Sequence, residues 1–217
     1  MEWILHSNET NIALENDIAK SIIEAIGGID QAFYNSKRRE KTTMVMERLT
    51  QLGNNKGHKV YSHSLSEGFR QKSGDIFVNR EWLYDLVWYE DAPKESYIMK
   101  NTLLVVESEW AYKRPKDDDK YGAIKYDFQK LLLSNAELKL MIFRVSGKTK
   151  QDIKQKLIKL YDYFNNAIDK YEQMESGEFL FIAFCDKEKS FYYWYRSKLS
   201  SPTLQYTLLL FFRYVIT

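Results

Sequence analysis

The chain has 217 residues, of which 44% are hydrophobic and 15% aromatic; that is enough for a substantial core and too high for a disordered chain. Its formal net charge of +2 does not announce a nucleic-acid binder, although 32 basic residues leave room for a local patch. The lone Cys185 excludes an intramolecular disulfide and a cysteine-rich zinc site, and it suits a cytoplasmic protein.

In chain order, Met-Glu-Trp-Ile-Leu-His lacks the basic-then-apolar pattern of a signal peptide, so none is expected. Ile12, Ile18, Ile22, Ile23 and Ile26 recur at helical spacing and predict a helix over 9–26, stopped by Gly27-Gly28. Met44, Val45, Leu49 and Leu52 predict a second helix over 38–52, ended by Gly53. After the turn Asn54–Gly57, residues 59–62 read as a strand, and the apolar runs near 80–90 and 102–110 read as two more. Ile124, Phe128, Leu131 and Leu132 place a helix over 121–134. Leu138–Val145 has the length and oiliness of a buried, parallel strand. A long helix over 150–174 and a hairpin of 179–185 with 190–196 complete the order. The segment 206–216 is apolar, but it is too short to span a bilayer and holds Arg213, so no membrane partner is expected. With three prolines and nine glycines there is no long linker, and a single domain over 1–217 follows. The order ααβββαβαββ predicts an α/β fold, a mixed central sheet flanked by helices.

Two of these strands carry acids where oil is expected. Leu83–Tyr89 holds Asp85, and Leu103–Trp110 holds Glu107 and Glu109. An ionised carboxylate in apolar surroundings costs free energy unless it is paired. Positions i and i+2 of a strand share a face, so Asp85, Glu107 and Glu109 could converge, and three carboxylates suit a hard divalent metal. Taken singly, each acid could equally be a surface salt-bridge partner.

Asp85 on one strand, Glu107-x-Glu109 on the next, then a helix and another strand resemble the PD-(D/E)XK nuclease superfamily over about residues 38–145. The resemblance implies a restriction endonuclease-like fold, Mg²⁺ or Mn²⁺ as cofactor, DNA as substrate and a role in restriction, defence or repair. It implies Asp85 and Glu107 as metal ligands. Glu109 stands where the motif has Lys, either as a third ligand or as a water-activating base. Lys130, in Asp127-Phe128-Gln129-Lys130, would be the lysine moved to the following helix, with Asp127 on its face. Glu47 on the preceding helix is the assignment for an accessory acid, ahead of Glu40. A homodimer stays open. So does a non-catalytic relative that binds nucleic acid or protein without cutting.

Lys37, Arg38 and Arg39, and the pair Lys113 and Arg114 after the acid strand, are the candidates for phosphate docking. Tyr192–Tyr195 could stack on bases, but a strand of this kind more often packs on a core. His58 and His63 lack a third ligand for zinc. No Gly-x-Ser-x-Gly elbow and no phosphate-binding glycine loop occurs, which disfavours serine hydrolases and nucleotide-loop enzymes.

Overall fold

The structure, a computed structural model, describes residues 3–6, 14–63, 65, 77–78, 83–93, 98–111, 119, 121–173 and 177–198. Among these residues eight strands form one mixed sheet: β1 (Ile4–Leu5), β2 (Lys59–Ser62), β3 (Phe77–Val78), β4 (Leu86–Asp91), β5 (Met99–Glu109), β6 (Leu138–Val145), β7 (Gly177–Cys185) and β8 (Ser190–Lys198). Their spatial order is β1-β8-β7-β6-β5-β4-β2-β3. The centre, β5-β6-β7, is parallel, and β4 and β8 flank it antiparallel.

Among the described residues five helices cover the sheet: α1 (Asp17–Gly27), α2 (Ala32–Asn35), α3 (Arg38–Asn55), α4 (Gly122–Leu132) and α5 (Lys150–Lys170). The crossovers β5–α4–β6 and β6–α5–β7 step in one direction, which puts both helices on the same face. Phe128 of α4 and Phe164 of α5 are fully buried there with Phe179, Phe181 and Trp194. Each such ring contributes about 1.5–3 kcal/mol by leaving water. The opposite face holds α1 and α3, through Ile22, Ile23, Val45, Met46 and Leu49. Gly53 of α3 lies so close to the sheet that a Cβ would meet Trp88 Nε1 at 2.7 Å. The same indole nitrogen donates to the Leu49 carbonyl at 3.2 Å.

The α/β architecture and the order of long elements agree with the sequence reading. The differences are local. The first helix begins at Asp17 and not at 9, because Asn16 turns its side chain back to accept from the Ala19 N–H at 2.7 Å, closing the helix end. Residues 7–13 lie outside the described residues. The long helix α5 ends at Lys170, four residues early, on Tyr171 in extended conformation. Elements of two to four residues, β1, β3 and α2, are too short to show a period and were not predicted. In β8 both faces are covered: Tyr193 packs on the α3 side and Trp194 on the α5 side, so neither ring is presented for base stacking.

Candidate acid centre at the carboxyl edge of the sheet

Strand alternation decides where the acids point. On β5, Leu104 and Val106 enter the core beneath α3 while Val105 enters the core beneath α4. Glu107 and Glu109 therefore face α4, near the carboxyl end of the parallel strands. Asp85 sits at that edge, in the bend just before β4, with its N–H on the Val106 carbonyl at 3.1 Å. Its carboxylate accepts from the Ser108 N–H at 2.8 Å, which ties the bend to the acid strand.

α4 closes the centre from above. The Lys130 ammonium donates to Glu107 Oε2 at 2.6 Å and lies 3.1 Å from Asp127 Oδ1. Glu109 accepts from the Ala111 N–H at 2.6 Å and shares a hydrogen bond with Asp127. Asp85, Glu107 and Asp127 thus gather about one lysine, and Glu109 joins the cluster through Asp127. The i, i+3 spacing of Asp127 and Lys130 was visible in the sequence; that Asp127 also reaches Glu109 was not, because that contact depends on how α4 lies over β5.

Burial makes this cluster electrically costly. Glu107 is 1% exposed, and its Oε1 has no hydrogen-bond partner among the described residues. Burial first, then the charge of Asp85, push its carboxyl up to about 9, against the pull of Lys130. Burial also raises Asp85, which the Ser108 N–H partly offsets, and raises Glu109, where Asp127 adds to the effect. Burial alone would lower Lys130, but its bond to Glu107 and the charges of Glu107 and Asp127 outweigh that and hold it high. All four groups are shifted upward, the three acids toward their neutral form and the lysine toward its charged form, and perturbed groups gathered in this way are a pattern found at functional sites.

Glu107 Oε1 is a buried, unpartnered oxygen within an all-oxygen donor set, and that chemistry fits a hard divalent cation. Asp85, Glu107 and Glu109 are the residues that would hold it. Among the described residues no three acids or histidines stand as a ready-made ligand set, since these carboxylates are turned to Lys130 and to backbone N–H groups.

The other candidates fall elsewhere. Glu47 is half-buried on α3, whose Val45, Met46 and Leu49 pack on the other face of the sheet. Glu40 caps α3 by accepting from the Lys37 N–H at 2.8 Å. Lys37, Arg38 and Arg39 are exposed at the start of α3, while Lys113 and Arg114 lie outside the described residues. His58 stacks on Trp88, with ring centroids 5.7 Å apart, and no zinc cluster occurs among the described residues. Compared with known proteins, the chain matches no family model, no curated protein and no solved structure.

Proposed function

We propose that this protein is a metal-dependent nuclease that hydrolyses phosphodiester bonds, with DNA as substrate and restriction, defence or repair as its setting. One observation carries the reading. Asp85, Glu107, Glu109 and Lys130, far apart in sequence, converge on one buried point at the carboxyl edge of a parallel sheet. Ligand sites of α/β sheets favour that edge.

A bound Mg²⁺ or Mn²⁺ would neutralise phosphate charge and lower the pKa of a coordinated water. The protein's own part follows from the contacts. Ser108 N–H fixes the direction of Asp85. Glu109, hydrogen-bonded to Asp127, is placed to accept a proton from an attacking water and pass it along the carboxyl pair. Lys130 carries positive charge to a place where the pentavalent phosphate gains negative charge.

The test is incubation of the purified chain with plasmid and Mn²⁺ or Mg²⁺. Cleavage should occur and should vanish in Asp85→Ala. Cleavage that survives this change would come from another site and would sink the reading. A non-catalytic relative is the second reading, supported by the Glu at the motif lysine position and by a Lys130 ammonium already engaged with two acids. Cation binding by calorimetry without any cleavage would favour it.

A further inference from the structure

The same carboxyl edge continues past the acid centre into a region that is cationic. Two contacts build it. Lys41 of α3, 3% exposed, donates to Asp186 in the β7–β8 turn and to the Tyr34 carbonyl at 3.1 Å. Arg144, next to last in β6, reaches the other oxygen of Asp186 at 2.7 Å. One carboxylate thus lies between two cations, and a positive charge is left over.

One residue further along the turn, Lys187 donates its ammonium to the Lys148 carbonyl in the β6–α5 loop. Two lysines therefore share one corner, both exposed. The nearby acids are engaged internally: Asp152 accepts from the Lys148 N–H at 2.9 Å and pairs with Lys156 at 2.8 Å, and Glu188 accepts from the Tyr192 hydroxyl at 2.6 Å. Asp152 is thus paired and Glu188 offsets one of the two lysines, so the corner keeps an excess of positive charge that an anion would relieve.

We propose that Arg38, Arg39, Lys148 and Lys187, with Arg144 between them, form a docking strip for the phosphate backbone of a nucleic-acid strand whose scissile bond lies at the acid centre. The identity of that strand rests on the nuclease reading. Both features share the carboxyl edge: Glu109 is in register with Phe143 of β6 and through it with Ala183 of β7, while Arg144, the next residue, turns to the α3 side, where Asp186 also meets Lys41. At about 4.8 Å between strands, β5 to β7 spans about 10 Å, the axial length of about three nucleotides of one DNA strand at about 3.4 Å each. A membrane surface would call for exposed apolar anchors; among the described residues none of the large exposed hydrophobics falls in the β6–α5 loop, the β7–β8 turn or the start of α3.

The test uses the full chain in EDTA and fluorescein-labelled 20-mers, single- and double-stranded, with anisotropy followed across a salt series. Lys148→Glu with Lys187→Glu should weaken binding at least tenfold. It should also flatten the salt slope by about 1.4–1.8, at 0.7–0.9 for each lost phosphate contact. Lys170→Glu, at the far end of α5, should change neither. Should the reversed charges disturb the β6–α5 loop, Lys148→Gln with Lys187→Gln reads the same loss of slope. An unchanged slope, no binding by the wild type, or tighter binding to polyglutamate or phosphatidylserine vesicles than to the oligonucleotides would overturn the strip. Binding through Lys148 and Lys187 without cleavage under Mg²⁺ would uphold the strip while the nuclease reading falls. Cleavage and binding that are indifferent to both lysines would remove the strip and leave that reading intact.

Discussion

Two buried charges on the same face of the sheet have opposite meanings. Glu107 on β5 is opposite Met141 of β6, and Lys139 lies two residues before Met141 on that face. Both are almost fully buried, at 1% and 2% exposure, and burial shifts each strongly toward its neutral form. Glu107 stands among Asp85, Asp127 and Lys130, which come from other segments. Lys139 has the Ala136 carbonyl at 2.8 Å and the Phe179 ring at 5.2 Å, and its pKa falls to about 8. A buried charge by itself is therefore weak evidence of function; convergence of several titratable groups from separate elements is the stronger sign.

The comparison breaks first on activity. Asp85→Ala and Glu107→Ala should each lower the plasmid cleavage rate by about 10³-fold or more, the scale seen when a charge-stabilising group is lost. Lys139→Met should stay within about twofold of wild type, since it removes no group of the centre. An inactive Lys139→Met that still folds by circular dichroism would show that the functional site extends to the amino edge of the sheet.

Lys130 gives the next largest effect. Lys130→Met keeps the length of the side chain but removes its charge, and should cost about 10²-fold in rate. Its second signature is in cation binding. Glu107 loses its 2.6 Å partner, so titration calorimetry should show altered Mn²⁺ affinity, accompanied by proton uptake or release that depends on the buffer. A wild-type rate in this variant would assign the lysine role to another residue.

The part of this comparison that could be read from sequence was the acid side. Asp85, Glu107 and Glu109 stood out because strands alternate with period two and carboxylates break an oily run. The helix of Asp127 and Lys130 followed from its apolar stripe. Lys139 also breaks an oily run, in Leu138–Val145, yet nothing in its spacing separates it from Glu107. The distinction lies in tertiary contact: α4 crosses above Glu107, whereas Lys139 meets a loop carbonyl and a ring. The pairing of Asp186 with both Lys41 and Arg144 was equally hidden, because it joins segments more than 40 residues apart at the sheet's edge. Glu47 lies on α3, and order in the chain cannot say which face of the sheet that helix covers.

The smallest effects lie in stability, and they run in opposite directions with pH. Between pH 4.5 and about 9 the folded chain holds a proton on Glu107 that the unfolded chain has released, so this residue makes stability fall as pH rises. Glu107→Gln removes that loss: its melting temperature should equal wild type near pH 4 and exceed it at pH 8, with Asp127 still available to Lys130. Lys139 works the other way. Below about pH 8 the folded state must carry an ammonium that burial disfavours, and the penalty fades as pH climbs toward 10.5. Lys139→Met should therefore raise the melting temperature at pH 7 and lose its advantage above pH 10. Each gain should be about 1–3 kcal/mol, or about 2–4 °C for each kcal/mol in a chain of this size. Stability gained with activity lost at Glu107, against stability gained with activity kept at Lys139, is the outcome that separates a functional charge from a merely buried one. Activity lost in both would mean that the two charges belong to one site.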